Sequence, residues 1–389
     1  MKILDILPPK GSLGAPHFRS RYEGMPDDYE FHILVTGDMV HDGEEFARAK
    51  LHVQPSAMPW TRWRMIWRSL ALAARAIRLA RSKNVDVIIC YDPLTLGIAG
   101  MLAKFFSGAK LVIEINGHLR DARDARLVKG ENSWLRRNLF NLVGSMTLSS
   151  ADCIKILNQV QYEEWRSILS KKSVVMFHDY VPTSQFRRPG RDDRFLYCLG
   201  YPFYRKGVDI LIEAFARILP EFPEYRLVIM GHCREPELQR WKARAVGVGN
   251  VEFRNPVPYD EVGDFITSCT ALVIPSRSEG MGRVFIEAMA ASKPCVGTRV
   301  GGIPNVIVDG ETGLLAEPEN AEDLANKLRV LLADAGLRAR MGEAGRRRVE
   351  AVLSEIIYVK CFRRMLDEVL PGASIHGGIQ FDGYRGGTK

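Results

Sequence analysis

Two carboxylates eight residues apart, Glu279 and Glu287, bracket the run Ser276-Arg277-Ser278-Glu279-Gly280-Met281-Gly282-Arg283 and the apolar helix expected after it. Glu287 lies among Val284, Phe285, Ile286, Ala288 and Met289, the only charge in that helix. A carboxylate in such a setting is expensive to bury without hydrogen-bond donors. Adjacent hydroxyls of a sugar or ribose would supply them, since one carboxylate can accept from two. A neighbouring turn or an arginine would satisfy it as well, and the residues alone leave both readings open. Gly280 and Gly282 allow unusual dihedrals and close backbone approach to a ligand.

Two further turns carry chemistry. The stretch Gly200-Tyr201-Pro202-Phe203-Tyr204-Arg205-Lys206-Gly207 leaves an expected strand and enters a helix at about Gly207. Free backbone N–H groups at a helix start favour an anion, and Arg205 and Lys206 add cationic donors suited to a phosphate or diphosphate. A solvated basic turn is the alternative. In Arg299-Val300-Gly301-Gly302-Ile303-Pro304-Asn305, the paired glycines permit close approach to a ligand or simply make a tight turn.

The elements that must hold these turns follow from apolar periodicity. Short β-branched runs alternate with longer amphipathic segments, the pattern of parallel sheets with crossover helices. Strands are expected over 2–7, 31–36, 85–91, 110–115, 153–157 and 173–177, with helices over 62–82, 94–106 and 132–149. Residues 181–193 read as a linker. The pattern then restarts with strands over 195–199, 226–230, 251–254, 271–274, 294–298 and 313–316. Helices are expected over 208–219, 237–246, 260–268, 284–291, 321–333, 337–353 and 354–370. The 389 residues suit two domains, with boundaries at 1–182 and 183–353. A helix over 354–370 is a candidate to cross back to the first domain, and a glycine-rich tail over 371–389 is expected to be disordered. In open α/β sheets ligands bind beyond the carboxyl ends of the strands, where all three turns fall.

With these turns in place, residues 195–350 resemble the donor-binding half of the retaining GT-B glycosyltransferases of family 4. The resemblance rests on YRKGVDILIEAF, RLVIMGH and ALVIPSRSEGMGRVFIEAMAASKPCVGTRVGGIPNVIVDGETGLLAEPEN, in the family's order. It implies an α/β GT-B fold, two Rossmann-like domains with parallel sheets facing across a cleft. It implies that Glu279 contacts hydroxyls of the transferred sugar and Glu287 the ribose hydroxyls. Lys206 with Arg205 would hold the diphosphate. Backbone groups of Gly280, Met281, Gly282, Arg283 and Val284 would meet sugar and phosphate. Two positions depart from the family pattern: Tyr201 stands where an arginine is frequent, and Asn305 where Gly-Gly-x-Pro is commonly followed by Glu. The resemblance further implies transfer with retention from a nucleoside diphosphate sugar, as co-substrate rather than cofactor. No D-x-D run occurs in the chain, and no metal is expected. Rival readings are a GT-B epimerase, hydrolase or phosphorylase, and a non-catalytic membrane-associated scaffold.

The first half resembles the family more loosely. The run Pro9-Lys10-Gly11-Ser12-Leu13-Gly14 lies where relatives have a glycine-rich loop facing the donor phosphates, which puts Gly14 at the donor. The expected strand over 110–115 leads into Asn116-Gly117-His118. Relatives carry a histidine near the reacting sugar here; aligning the glycines places Asn116 at that position, with His118 two residues on.

The net charge of +8 resides entirely in residues 1–190, with 27 Lys and Arg against 19 Asp and Glu. Such an excess implies an anionic partner. The segment Pro59 to Lys83, PWTRWRMIWRSLALAARAIRLARSK, holds seven basic residues, three tryptophans and no acid. That composition fits a helix lying on an anionic membrane surface, and also a crossover helix with solvated arginines. No nucleic-acid recognition motif is present. No run approaches the ~20 apolar residues of a membrane span, and the seven scattered cysteines read as free thiols. The expectation is a cytoplasmic protein, peripheral on the inner membrane face, acting on a glycan or lipid-linked acceptor in cell-surface polysaccharide synthesis.

Overall fold

The computed structural model describes residues 1–8, 16–36, 43–54, 62–117, 133–186, 191–369 and 379–381. It divides the chain into two compact units, Met1–Tyr180 with Glu355–Gly383, and Val181–Ser354 with Tyr384–Lys389.

The first unit is built on β1 (Lys2–Ile6), β2 (Glu30–Thr36), β3 (Glu45–Phe46), β4 (Ala49–Gln54), β5 (Val87–Cys90), β6 (Lys110–Ile115), β7 (Cys153–Ile156), β8 (Ser173–Met176) and β15 (Ile379–Phe381). They form one sheet in the order β15-β8-β7-β6-β5-β1-β2-β4-β3, parallel except for the β3–β4 pair. Central parallel strands are buried on both faces, which is why VIIC and KLVIEI are almost continuously apolar. On one face α2 (Arg62–Ser82), α3 (Thr95–Ser107) and α4 (Ser133–Ser150) share a core with Leu4, Ile88 and Ile113. On the other, α1 (Pro16–Glu23) and α14 (Glu355–Asp367) bring Phe18, Tyr22, Tyr358 and Phe362 onto Ile3, Val87 and Val112. The two short helices α5 (Gln159–Glu164) and α6 (Arg166–Leu169) lie between β7 and β8.

The second unit has β9 (Phe195–Leu199), β10 (Arg226–Met230), β11 (Val251–Arg254), β12 (Ala271–Val273), β13 (Cys295–Thr298) and β14 (Gly313–Ala316). Its sheet is all parallel, in the order β11-β10-β9-β12-β13-β14, the doubly wound arrangement. Its helices are α7 (Val208–Ile218), α8 (Glu237–Arg244), α9 (Tyr259–Ser268), α10 (Arg283–Ala290), α11 (Ile303–Val306), α12 (Ala321–Ala333) and α13 (Ala335–Val352). Strand order reverses between β9 and β12, so the crevice that binds ligands in this fold opens over these two strands. On α7, Val208, Leu211, Ile212, Phe215 and Ile218 are buried. Each such side chain contributes about 1.5–3 kcal/mol, which anchors the helix start that follows Lys206.

The tail expected to be disordered over 371–389 contains β15, which pairs in parallel with β8. Its Ile-Gln-Phe alternation suits the edge that β8 otherwise leaves open. The β3–β4 hairpin was not expected, and the reason is visible in its turn. Ala47 and Arg48 both have positive φ, where Asn-Gly would have signalled it. All seven cysteines are free. No helix among the described residues is long and apolar enough to cross a membrane.

Candidate active site

The turn after β9 brings Lys206 back over the strand end. Gly200 has φ +127°, and a Cβ there would lie 2.7 Å from Lys206 Cε; glycine leaves the space that the lysine stem fills. At Gly207, with φ +69°, a Cβ would lie 2.0 Å from the Pro275 carbonyl oxygen. Only glycine lets this turn pack on the backbone leading out of β12. Lys206 is therefore buried, 7% exposed, and its Nζ donates to Glu279 Oε2 at 2.5 Å. The ammonium expected at a diphosphate and the carboxylate expected at a sugar are thus a contacting ion pair.

Arg277 ties the two turns together. Its backbone N–H donates to the Arg205 carbonyl at 2.8 Å, and its guanidinium donates to the Tyr204 carbonyl at 2.6 Å. The same guanidinium grips Asp209 at 2.8 and 2.9 Å and Glu319 at 2.6 and 2.9 Å, and stacks 4.0 Å over the Tyr204 ring. These carboxylates raise its pKa although burial opposes the charge. Sequence reasoning gave Arg277 no role; its only signal was its place in the turn that carries Glu279.

Gly282, φ +78°, leads into α10, and Met281 is buried while Arg283 and Val284 are half-buried. Inside α10, Glu287 is 4% exposed and accepts from Tyr259 Oη at 2.9 Å. Burial raises its pKa; Tyr259 and then Arg283 pull against that rise. That donor is a tyrosine on α9, and a carboxylate has the capacity to accept from more than one. Gly302 has a role in this loop that the sequence did not specify. Its N–H donates to the Glu279 carbonyl at 3.0 Å, and a Cβ would lie 2.2 Å from the Gly280 carbonyl oxygen. The close approach that the glycine pair permits is to the Glu279 turn itself. Arg205 is half-buried and donates to the Tyr201 carbonyl at 3.4 Å. Tyr201 donates to Glu237 at 2.9 Å, fastening the turn to α8.

In the first unit, Gly14 and His118 lie outside the described residues, so those two expectations have no structural counterpart. Asn116 is described, and its amide is engaged. Nδ2 donates to the Tyr91 carbonyl at 3.1 Å and to Glu114 at 3.0 Å, and Oδ1 accepts from Lys155 at 3.4 Å. Asn116 borders a buried charge cluster near the carboxyl ends of β1, β6 and β7. Arg21 is fully buried and donates to Asp5 at 2.8 Å, Glu114 at 2.7 Å and Tyr358 Oη at 3.0 Å. Lys155, opposite Glu114 in the sheet register, pairs with Asp179. Burial works to raise Asp179, but the Lys155 ammonium, His17 and Arg21 together outweigh it and hold the carboxyl below its usual range. His17 is 2% exposed, with Nε2 3.9 Å from Asp179, and burial pushes its imidazole down to about 4. Sequence reasoning missed this cluster, yet Lys155 is the lone charge of its strand, and Asp5 and Glu114 are charges inside strands otherwise charged only at their first residue, a signal akin to the one that singled out Glu287. Among the described residues no group of His, Cys, Asp and Glu is arranged to hold a metal ion.

Residues 183–348 match the family described as Glycosyl transferases group 1, and residues 15–175 the Glycosyl transferase 4-like domain. An uncharacterized glycosyltransferase of Methanocaldococcus jannaschii is 28% identical over 323 residues, 82% of this chain and 84% of that protein. The D-inositol 3-phosphate glycosyltransferase of Streptomyces avermitilis is 37% identical over 155 residues, 37% of this chain but 33% of that enzyme. Among solved structures, sucrose-phosphate synthase from Thermosynechococcus elongatus superposes with a TM-score of 0.77 at 19% identity, over 95% of this chain and 98% of that one. Anabaena HepE in complex with UDP gives 0.73 at 15% identity, over 95% and 100%. At these identities the structural likeness speaks for the fold.

Proposed function

The chain belongs to the group 1 glycosyl transferases, of GT-B fold, and we propose that it moves a sugar from a nucleoside diphosphate sugar to a glycan or lipid-linked acceptor with retention of configuration. The observation that carries this reading is the Lys206–Glu279 pair, 2.5 Å apart at the strand-order reversal, with buried Glu287 in the helix that follows. A diphosphate set beside Lys206 would place its sugar at Glu279, and Glu287 would receive the ribose hydroxyls. Backbone N–H groups at the start of α10 favour the anionic part of the donor.

The reaction breaks the bond between the anomeric carbon and the diphosphate oxygen and forms the acceptor–carbon bond on the same face. The acceptor proton passes to the departing phosphate oxygen. Lys206, Arg205 and the helix starts stabilise the charge that builds there, a role that needs no divalent metal. We place the reaction in cell-surface polysaccharide synthesis at the cytoplasmic face of a membrane, on the strength of the basic segment Pro59 to Lys83.

Thermal-shift screening of nucleoside diphosphate sugars tests the reading, because a ligand of the native state raises the melting temperature. Anabaena HepE is solved with UDP and with UDP-glucose, so UDP-sugars head the screen. No shift with any donor would reject the proposal. Turnover of donor without an acceptor would point to an epimerase or hydrolase.

A further inference from the structure

The first unit's helical layer α2, α3 and α4 contains 52 residues, nine of them Lys or Arg and none Asp or Glu. With 46 acids in 389 residues, about six would be expected there. The three helices cover the same face of the sheet through Leu72, Ala76, Ala99 and Leu148, and α3 packs against both α2 and α4. Their outward sides are not the polar surfaces that buried inner stripes would lead one to expect. Leu70 on α2 is 52% exposed, Phe105 and Phe106 on α3 80% and 52%, and Leu139, Leu142 and Met146 on α4 56%, 59% and 50%. These are six of the thirteen large exposed hydrophobics among the described residues. Leu139, Leu142 and Met146 recur at i, i+3 and i+7, one stripe of one helix. On α2, Arg78 and Arg81 are exposed alongside.

We propose that the outer side of this three-helix layer is the docking surface for an anionic lipid bilayer. The inference deepens the membrane part of the functional reading and rests on it, but it assigns a surface broader than the basic segment Pro59 to Lys83. Apolar side chains that enter the headgroup boundary, beside arginines that meet anionic headgroups, are what interfacial binding requires. The complete absence of acids removes the repulsion that would oppose it. The same charge argues against a second copy as the occupant: a two-fold dimer through this face would bring the exposed Arg78 and Arg81 of both copies together with no acid from these helices to pair them, and like charges across an interface disfavour association.

The test is co-sedimentation of the full chain with vesicles of phosphatidylcholine, and of phosphatidylcholine containing phosphatidylglycerol. Binding is expected on the anionic vesicles only, weakening as salt rises. The triple variant Leu139→Ser, Leu142→Ser, Met146→Ser and the double variant Arg78→Glu, Arg81→Glu should each lose about tenfold or more in vesicle affinity. Both change solvent-facing positions, so both should melt near the parent temperature and keep any thermal shift with donor. Equal binding to both vesicle types, or variants that bind as the parent does, would overturn the inference. So would a concentration-dependent dimer abolished by the triple variant. A chain that responds to donor but binds no vesicle loses this surface while the transferase reading stands.

Discussion

The guanidinium of Arg277 holds the carboxylate of Asp209 by two hydrogen bonds of 2.8 and 2.9 Å, joining the turn that carries Glu279 to the helix that follows Lys206. Such a planar fork fixes direction as well as distance. Arg277→Ala should raise the donor KM and lower kcat/KM about 10- to 100-fold, since misplacement of a binding group by an ångström is enough for that. Arg277→Lys keeps the charge without the fork and should fall between. Kinetics of Arg277→Ala equal to the parent would show that the turns hold their places without the clamp.

Lys206 and Glu279 neutralise each other at 2.5 Å, so each variant unmasks the other charge. Lys206→Ala should lower kcat/KM by about 100-fold or more, in the range of one lost charge-stabilising donor, with nucleoside diphosphate affinity falling too. Glu279→Gln keeps the shape and removes the charge; it should lower kcat while affinity for the bare nucleoside diphosphate holds or rises, because the carboxylate is assigned to the sugar and no longer masks Lys206. Separate measurement of diphosphate affinity and turnover checks this split, and full activity in Glu279→Ala would remove that residue from the site.

The alternation of strands and helices was legible because parallel strands buried on both faces must be apolar and their crossover helices amphipathic. Glu287 and Lys206 were legible as charges where burial or a helix start demanded a partner. What stayed hidden depends on contacts between distant segments. The use of Gly302 to seat the Glu279 turn needs the packing of α11 beside it. Arg21 meets Tyr358 across 337 residues, and no local pattern announces that. The β3–β4 hairpin turns on Ala47 and Arg48 in place of glycine, so its usual mark is missing.

Arg21 supplies a stability prediction. Arg21→Met would leave Asp5 and Glu114 buried beside one another without their shared cation, and breaking a buried pair from one side costs about 3–5 kcal/mol. The Tyr358 contact on α14 would be lost with it. The variant should show a lower unfolding midpoint in urea and earlier hydrogen exchange in α14. A midpoint within experimental error of the parent would mean the cluster is not needed to hold that helix.

Donor affinity should depend on pH through Glu287. Burial raises its pKa in the free protein, whereas ribose hydroxyls donating to the carboxylate would favour the ionised form and lower it. Binding therefore expels a proton wherever Glu287 is still protonated, and affinity should rise with pH through that range and level off above it. Glu287→Gln should bind more weakly and lose this dependence. Calorimetry of nucleoside diphosphate binding at several pH values decides it; the same slope in parent and variant would assign the proton elsewhere.

Acid sensitivity of the first unit should begin above the carboxylate range. His17 is buried and titrates at about 4 when folded, against about 6.5 in the unfolded chain. Between those values the unfolded state binds a proton that the folded state refuses, so stability falls as pH drops from about 6.5 towards 4 and is fully present above 6.5. For His17 this amounts to about 2 kcal/mol between pH 7 and pH 5. His32, pushed down to about 4 by burial and then by His52, adds in the same direction. Asp179 acts lower still: held ionised by Lys155, it withdraws its contribution only as pH falls below the ordinary aspartate range. Urea unfolding of the parent and of His17→Leu at pH 7 and pH 5 separates these terms. The parent should lose stability over that interval and the variant distinctly less. Identical losses in the two proteins would move the effect away from His17.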